Sequence, residues 1–300
     1  MKKIEIHVPS YPKKYQVIIE KGVLTSFANY IDIEVYSSVF IISDTNVSRL
    51  YLSKFIDSIS EQIEVTRIHS YTFEAGEESK QIETVIALYK ALAEAKIDRK
   101  SLIINLGGGV VTDIGGFVAS TYVRGIPYIN IPTTLEAMVD ASVGGKTGVN
   151  LENLKNYIGV FSSPEAIYID IDTLKSLPER AFVQGYAEII KHGLIKDAAY
   201  FAKVAKTKPL EYSEEKLMDI IAGSIQIKAQ IVQEDPHEKG IRKILNFGHT
   251  IGHVIESVSF STPDPLFHGE AVAIGMVAEA YISYKEGYID EDMWKDIESS

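Results

Sequence analysis

The spacing of apolar residues changes once along this chain, and that change limits the fold more than any single motif does. Before about residue 172, short apolar runs recur at 16–19, 39–43, 64–69, 101–106, 128–131 and 166–169. Helical patterns lie between some of them, such as 77–96, where Val85, Leu88 and Leu92 repeat at helical spacing. Strands alternating with helices predict an α/β domain with a mostly parallel sheet. After Pro178 the pattern is nearly all helical, over 180–195, 214–233, 246–258 and 269–284. Pro263 and Pro265 make 263–267 a loop that delivers His268 to the start of the last helix. The expectation is an α/β domain over 1–172 and an all-helical domain over 173–300, with a cleft between them as the usual place for a site.

Composition narrows the function classes. With 300 residues, 46% of them hydrophobic, the chain can build two ordinary cores. It carries 41 acidic against 30 basic residues, a net charge of -11, and no basic block interleaved with aromatics, so nucleic acid is not an expected partner. A local cluster of bases can still serve an anionic substrate. Cysteine is absent, which removes disulfides, thiolate ligands and a thiol nucleophile. Residues 1–7 read as a polar-flanked strand rather than a signal peptide. No apolar run approaches the roughly 20 residues of a membrane span. A soluble cytoplasmic protein is the default expectation.

Gly107, Gly108 and Gly109 follow the apolar run 101–106 and precede a helix carrying Asp113. Glycines there permit a tight turn and let backbone N–H groups approach a phosphate at a helix N-terminus. The dinucleotide fingerprint GxGxxG at the first strand is missing, which argues against an ordinary Rossmann enzyme. Asp44 and Asn46 past the second run, and Glu77 with Lys80 at a helix start, would also suit a nucleotide; an N-cap and a solvated helix turn explain them equally. Between Asp140 and Thr147, Gly144 and Gly145 can form a donor nest and Lys146 adds a positive charge, a cradle for an oxyanion. Lys155 and Asn156 follow in another loop. A glycine-rich linker would explain the glycines but leave Asp140, Lys146, Lys155 and Asn156 without a role.

Glu188 and Lys191 are three apart on the predicted helix from Arg180, and His249 and His253 are four apart on another, so each pair is co-facial. With His268 they make five side chains placed to meet. One carboxylate and two imidazoles with open positions form a reasonable catalytic site for a divalent metal. Lys228, Glu238 and Arg242 add charge nearby, and bases beside a metal suit a substrate carrying phosphate and carboxylate.

At these residues the chain resembles the 3-dehydroquinate synthases of the sugar phosphate cyclase group. The similarity runs through Asp44 to Asn46, Gly76 to Lys80, Gly107 to Asp113, Pro132 to Thr134, Asp140 to Asn150, Lys155 and Asn156, Ala187 to Lys191, Asn246 to His253, and His268 to Glu270. So long an ordered series is very specific and covers nearly all of the chain. The resemblance implies an enzyme that needs NAD and zinc or cobalt and converts 3-deoxy-D-arabino-heptulosonate 7-phosphate into 3-dehydroquinate and phosphate. It implies NAD contacts from Asp44, Asn46, Glu77, Lys80, Gly108, Gly109, Val110, Asp113, Thr133 and Thr134, with Lys146 and Lys155 beside them. Glu188, His249 and His268 would bind the metal. Asp140, Lys146, Lys191, Lys228 and Arg242 would line the substrate, the last two nearest its carboxylate. Lys146, Asn156, Asn246 and His253 would hold the phosphate, with Lys155 and Glu238 close by, and Arg124 would reach the phosphate site of a partner in a homodimer.

Three features depart from the family pattern. Glu136 and Met138 stand where the family more usually has Leu and Gln, and the chain ends at Ser300, whereas relatives continue with a helical segment that supplies another phosphate-binding lysine. NAD and metal binding with slowed turnover is therefore expected of this form. The alternatives are a metal-dependent polyol dehydrogenase of the same architecture, to which Lys146, Lys155 and Arg242 would be useless, a cyclase of an uncarboxylated sugar phosphate, and a nucleotide-binding protein without catalysis.

Overall fold

A computed structural model describes residues 14–152, 154–206 and 208–300. The expected strand at 1–7 lies outside these residues. Six strands form one sheet: β1 (Gln16–Glu20), β2 (Val39–Asp44), β3 (Ile68–Phe73), β4 (Leu102–Gly107), β5 (Tyr128–Pro132) and β8 (Ala166–Asp170). Their order is β1-β8-β5-β4-β2-β3, and every pairing is parallel. The central strands read as continuous apolar runs because both faces are covered. Ile41, Ile104 and Ile131 face one core with Phe27, Phe55 and Ile59. Their neighbours Phe40, Ile42 and Ile103 face the other, with Val85, Leu88, Leu92 and Val118.

The helices of this domain are α1 (Thr45–Val47), which runs through a π-helical turn into α2 (Ser53–Ile59), then α3 (Ile82–Glu94) and α4 (Gly109–Thr121). Asp170 ties β8 to the segment after β1. One of its oxygens accepts from Gly22 N at 2.9 Å and Asp172 N at 3.0 Å, the other from Leu24 N at 2.9 Å. The chain passes from β2 outward to β3 and returns to β4 on the other side of β2, a reversal that opens a crevice at the carboxyl ends of these strands.

Two strands were not expected. β6 (Lys146–Leu151) and β7 (Leu154–Phe161) pair antiparallel as a hairpin, so Lys155 and Asn156 lie on a strand rather than in a loop. The third run is also displaced: 65–67 is a 3-10 turn, and the strand occupies Ile68–Phe73.

The remainder is helical: α5 (Glu179–Lys196), α6 (Ala198–Val204), α7 (Glu214–Glu234), α8 (His249–Ser259), α9 (His268–Lys285) and α10 (Glu291–Glu298). A parallel-sheet domain followed by a mostly helical one is the expected class. Its core joins Ile189, Ile221 and Val272 to Leu135 and Val139 and to Ile167 and Ile169 of β8, so the helices pack directly on the sheet. Among the described residues no helix is long and apolar enough to cross a membrane.

Candidate active site

The carboxyl ends of the parallel strands gather the nucleotide candidates. Asp44 closes β2, and its Oδ1 accepts from Asn46 N and Val47 N at 2.9 Å each, so the N-cap is real. Gly108 is the N-cap of α4 and supplies no side-chain cap, leaving the first N–H groups of that helix open to an anion. A Cβ at Gly108 would stand 3.1 Å from Thr134 Cγ2, so the turn and the end of β5 enclose a narrow space. Thr133 Oγ1 is buried beside it without a hydrogen-bond partner among the described residues. A bare helix terminus, a closely approached glycine and an orphaned hydroxyl fit the phosphates of a dinucleotide. Lys80 Nζ donates to Asp113 Oδ2 at 2.5 Å across the same crevice. Burial works against the Lys80 charge, but Asp113 and Glu77 outweigh it and raise the pKa above the ordinary lysine value.

Glu188 and Lys191 are fully buried, 0% and 1% exposed, so they are not a surface pair. Lys191 Nζ is ion-paired with Glu188 Oε2. Glu188 Oε1 accepts no hydrogen bond among the described residues. His249 Nε2 lies 3.6 Å from that oxygen and His268 Nε2 3.9 Å. The other ring nitrogens are turned away: His249 Nδ1 is 3.2 Å from the Phe247 carbonyl and His268 Nδ1 3.4 Å from Glu256 Oε2. Nδ1 held by an acceptor leaves Nε2 free as a ligand. A buried anionic oxygen with no donor, facing two such nitrogens, fits a divalent metal. His253 joins the cluster, offering a ring nitrogen within 4.8 Å of those of His249 and His268.

Close helix packing brings these groups together. Gly248 has a left-handed φ of 79°, and a Cβ on Gly275 would stand 1.9 Å from Gly248 O and 2.8 Å from Gly252 N. α8 and α9 can therefore cross with their backbones touching. A Cβ on Gly269 would meet Gln184 O at 1.8 Å, which sets the turn after His268 against α5. Burial and the Lys191 charge hold His249 down to about 4, in its neutral form. Burial also works against a charge on His268, but Glu256, Glu136 and Glu188 outweigh it and raise this imidazole to about 9, so its Nε2 must release a proton before it can serve as a ligand.

Next to Glu188, Asp140 Oδ1 accepts from Lys228 Nζ at 2.6 Å and lies 3.5 Å from His192 Nε2 and 3.9 Å from Lys191 Nζ. Burial would raise Asp140, but the two ammoniums and the imidazole hold it well below the usual carboxylate range. Lys146 is ion-paired with Glu238, which also accepts from Asn246 Nδ2 at 3.0 Å. Arg242 is 1% exposed and donates to Pro236 O at 2.7 Å and Gly144 O at 2.9 Å. Gly144 N donates to the Tyr15 hydroxyl at 3.1 Å, so the donor nest expected at Gly144 is instead engaged within the protein. Lys155 Nζ donates to Glu256 Oε1 at 2.6 Å. Asn156 is exposed, with its backbone N–H on Asn150 Oδ1 at 2.8 Å. Arg124 is exposed in the turn after α4, lining a surface cavity of about 580 Å³ with Tyr128 and Phe161.

Glu136 accepts from Gln184 Nε2 at 3.0 Å, and Gln184 Oε1 accepts from Gly269 N at 2.8 Å, a link from the nucleotide side to the turn holding His268. Met138 is fully buried in the core. Sequence reasoning missed Glu256, His192 and Gln184. Glu256 had a signal, since it follows His249 by seven and His253 by three on one helical face. His192 and Gln184 had none apart from their neighbours.

Residues 70–184 match a family model described as 3-dehydroquinate synthase N-terminal, and residues 185–300 one described as 3-dehydroquinate synthase C-terminal. The chain is 42% identical to the 3-dehydroquinate synthase of Prochlorococcus marinus (strain MIT 9312), over 98% of this chain and 80% of that one. Identity to the same enzyme of Alkaliphilus metalliredigens is 42%, over 99% and 82%. Among solved structures, a 2-deoxy-scyllo-inosose synthase complexed with carbaglucose-6-phosphate, NAD+ and Co2+ superposes with a TM-score of 0.86 at 29% identity, covering 94% of this chain and 77% of that one. A 2-epi-5-epi-valiolone synthase from Streptomyces hygroscopicus subsp. jinggangensis, with NAD+ and Zn2+ bound, gives 0.81 at 27%, covering 97% and 81%.

Proposed function

The chain belongs to the 3-dehydroquinate synthase family, and from that premise we propose how its residues share the work of the reaction. It is an NAD- and metal-dependent lyase of this type, converting 3-deoxy-D-arabino-heptulosonate 7-phosphate to 3-dehydroquinate and phosphate. When bound, the nucleotide takes up and later returns a hydride, and the divalent metal, zinc or cobalt, lowers the cost of negative charge on a substrate oxygen.

Asp44, Asn46, Glu77, Lys80, Gly108, Gly109, Val110, Asp113, Thr133 and Thr134 hold the nucleotide in the crevice of the sheet, with Lys146 and Lys155 at its rim. Glu188, His249 and His268 hold the metal. Asp140, Lys191 and Lys228 set the protonation and position of the substrate hydroxyls, with Lys228 and Arg242 nearest the carboxylate. Lys146, Asn156, Asn246 and His253 take the phosphate, flanked by Glu238, and Arg124 of a second copy completes that subsite in a homodimer. A substrate phosphate oxygen serves as base for the elimination, so no dedicated general base is required at that step. We place the boundary between the domains at 172/173, after β8, and the protein in the cytoplasm.

The observation that carries the reading is the donorless Glu188 Oε1 facing two Nε2 atoms, beside the Asp140, Lys191 and Lys228 network. Incubating the heptulosonate phosphate with the protein, catalytic NAD and metal should release 3-dehydroquinate and phosphate in equal amounts. Stoichiometric accumulation of NADH over many turnovers would instead mark a dehydrogenase.

A further inference from the structure

Glu256 has no part in the assignments above, yet it is only 3% exposed. Its two oxygens serve different partners, Oε2 at 3.4 Å from His268 Nδ1 and Oε1 accepting from Lys155 Nζ at 2.6 Å. Lys155 stands 3.8 Å from Glu77 Oε1, which also accepts from Asn150 Nδ2 at 2.9 Å. A line of charges therefore runs from the turn after β3, through the β6/β7 hairpin, to the imidazole of His268. His249 is built differently, because its Nδ1 faces the backbone carbonyl of Phe247 and its orientation is fixed locally. The corresponding partner of His268 is a side chain, held by a lysine from the sheet domain, and is adjustable from there.

We propose that Glu256 is a positioning residue that keeps His268 Nε2 turned toward Glu188, and that Lys155 acting through Glu256 couples occupancy of the nucleotide crevice to the metal centre. The inference rests on the nucleotide and metal assignments above. Outer carboxylates that accept from a ligating imidazole fix its tautomer and ring orientation, and losing them typically weakens metal affinity about 10–100-fold. A nucleotide that touches Glu77 or Lys155 changes the pull of Lys155 on Glu256. By reciprocity, metal must then tighten NAD by the factor with which NAD tightens metal.

The test measures Co2+ affinity of the full chain by chelator competition, together with the visible Co2+ spectrum, with and without saturating NAD, in wild type, Glu256→Gln and His268→Ala. In wild type, NAD should tighten Co2+ at least about fivefold, within the usual range of coupling between sites. Glu256→Gln should bind Co2+ about 10–100-fold more weakly with an altered spectrum, and NAD should then change its affinity less than about twofold, the linkage being broken. A role in tying the hairpin to α8 alone would leave the spectrum and the NAD factor unchanged. Wild-type affinity and spectrum in Glu256→Gln refute the positioning role; a wild-type NAD factor there, or no NAD effect in wild type, refutes the coupling. If Glu256→Gln does not fold, Glu256→Asp, which keeps the charge on a shorter arm, decides by the same readings. His268→Ala separates the levels: loss of Co2+ there but not in Glu256→Gln sinks this inference alone, whereas retention in both sinks the metal assignment.

Discussion

At the scale of single residues, Glu188 divides its oxygens between two tasks, one neutralising Lys191 and the other left open toward His249 and His268. Replacing Glu188, His249 or His268 by alanine should each abolish tight metal binding, whereas His253→Ala should keep most of it, as metal analysis after dialysis will read; equal occupancy in the wild type and all three ligand variants would remove the ligand assignment. Lys80 and Asp113 make a second, separable case. Lys80→Ala leaves a mostly buried carboxylate without its cation, and breaking such a pair costs about 3–5 kcal/mol when fully buried. Because 17% of the Asp113 side chain is exposed, the lower end of that range is expected from urea unfolding; a loss below about 1 kcal/mol would mean that solvent already screens the pair. Spacing made the co-facial pairs legible in sequence, since three and four residues return a helix to one side. The apolar Ala187, Ile189 and Ile190 around Glu188 and Lys191 pointed toward their burial, but His192 and Gln184 were not legible, because their roles depend on which neighbouring element meets them.

Among the elements, the continuous apolar strands and the longer amphipathic helices were readable because each repeats one pattern over several residues. The β6/β7 hairpin was not. Its strands carry Lys146, Lys155, Gly148 and Gly159, and the two glycines let the backbones approach so closely that a Cβ on either would stand 2.5 Å from a carbonyl oxygen of the opposite strand. Such residues read as loop when pairing is unseen. β3 was displaced because an edge strand is half-buried and pairs only with β2, so its apolar signal is diluted. Asp170 offers a prediction at this level, since it joins the segment after β1 to the end of β8. In Asp170→Asn the amide oxygen can still serve Gly22 and Asp172, but the amide nitrogen then faces the Leu24 N–H donor to donor. Losing one hydrogen bond to a charged group should cost roughly 1.5–3 kcal/mol in denaturant unfolding; an unchanged midpoint would show that the segment after β1 relaxes freely.

For the molecule as a whole, the sheet domain supplies a crevice, the helical domain the cluster of Glu188, His249 and His268, and the hairpin reaches toward both through Lys155. The formal charge of -11 gives no hint of the local balance, in which Lys146, Lys155, Lys191, Lys228 and Arg242 face Asp140, Glu188, Glu238 and Glu256. Two copies provide the remaining test. If Arg124 acts across the dimer, mixing inactive Arg124→Ala and His268→Ala proteins under exchange should restore turnover. Each mixed dimer then has one site with an intact His268 and an intact Arg124 from its neighbour. No recovery, with mixed dimers verified by mass, would place Arg124 in the site of its own subunit rather than across the dimer.

The crossing of α8 over α9 carries a consequence for how the sequence can vary. Gly275 meets the backbone of Gly248 and Gly252, so a side chain at position 275 collides with main-chain atoms of residues that have nothing left to shrink. Elsewhere in a core, an enlarged residue can be accommodated by trimming its neighbour. Here no second substitution can answer the first, and drift at this crossing is closed to the stepwise paths that let other packed surfaces change over time.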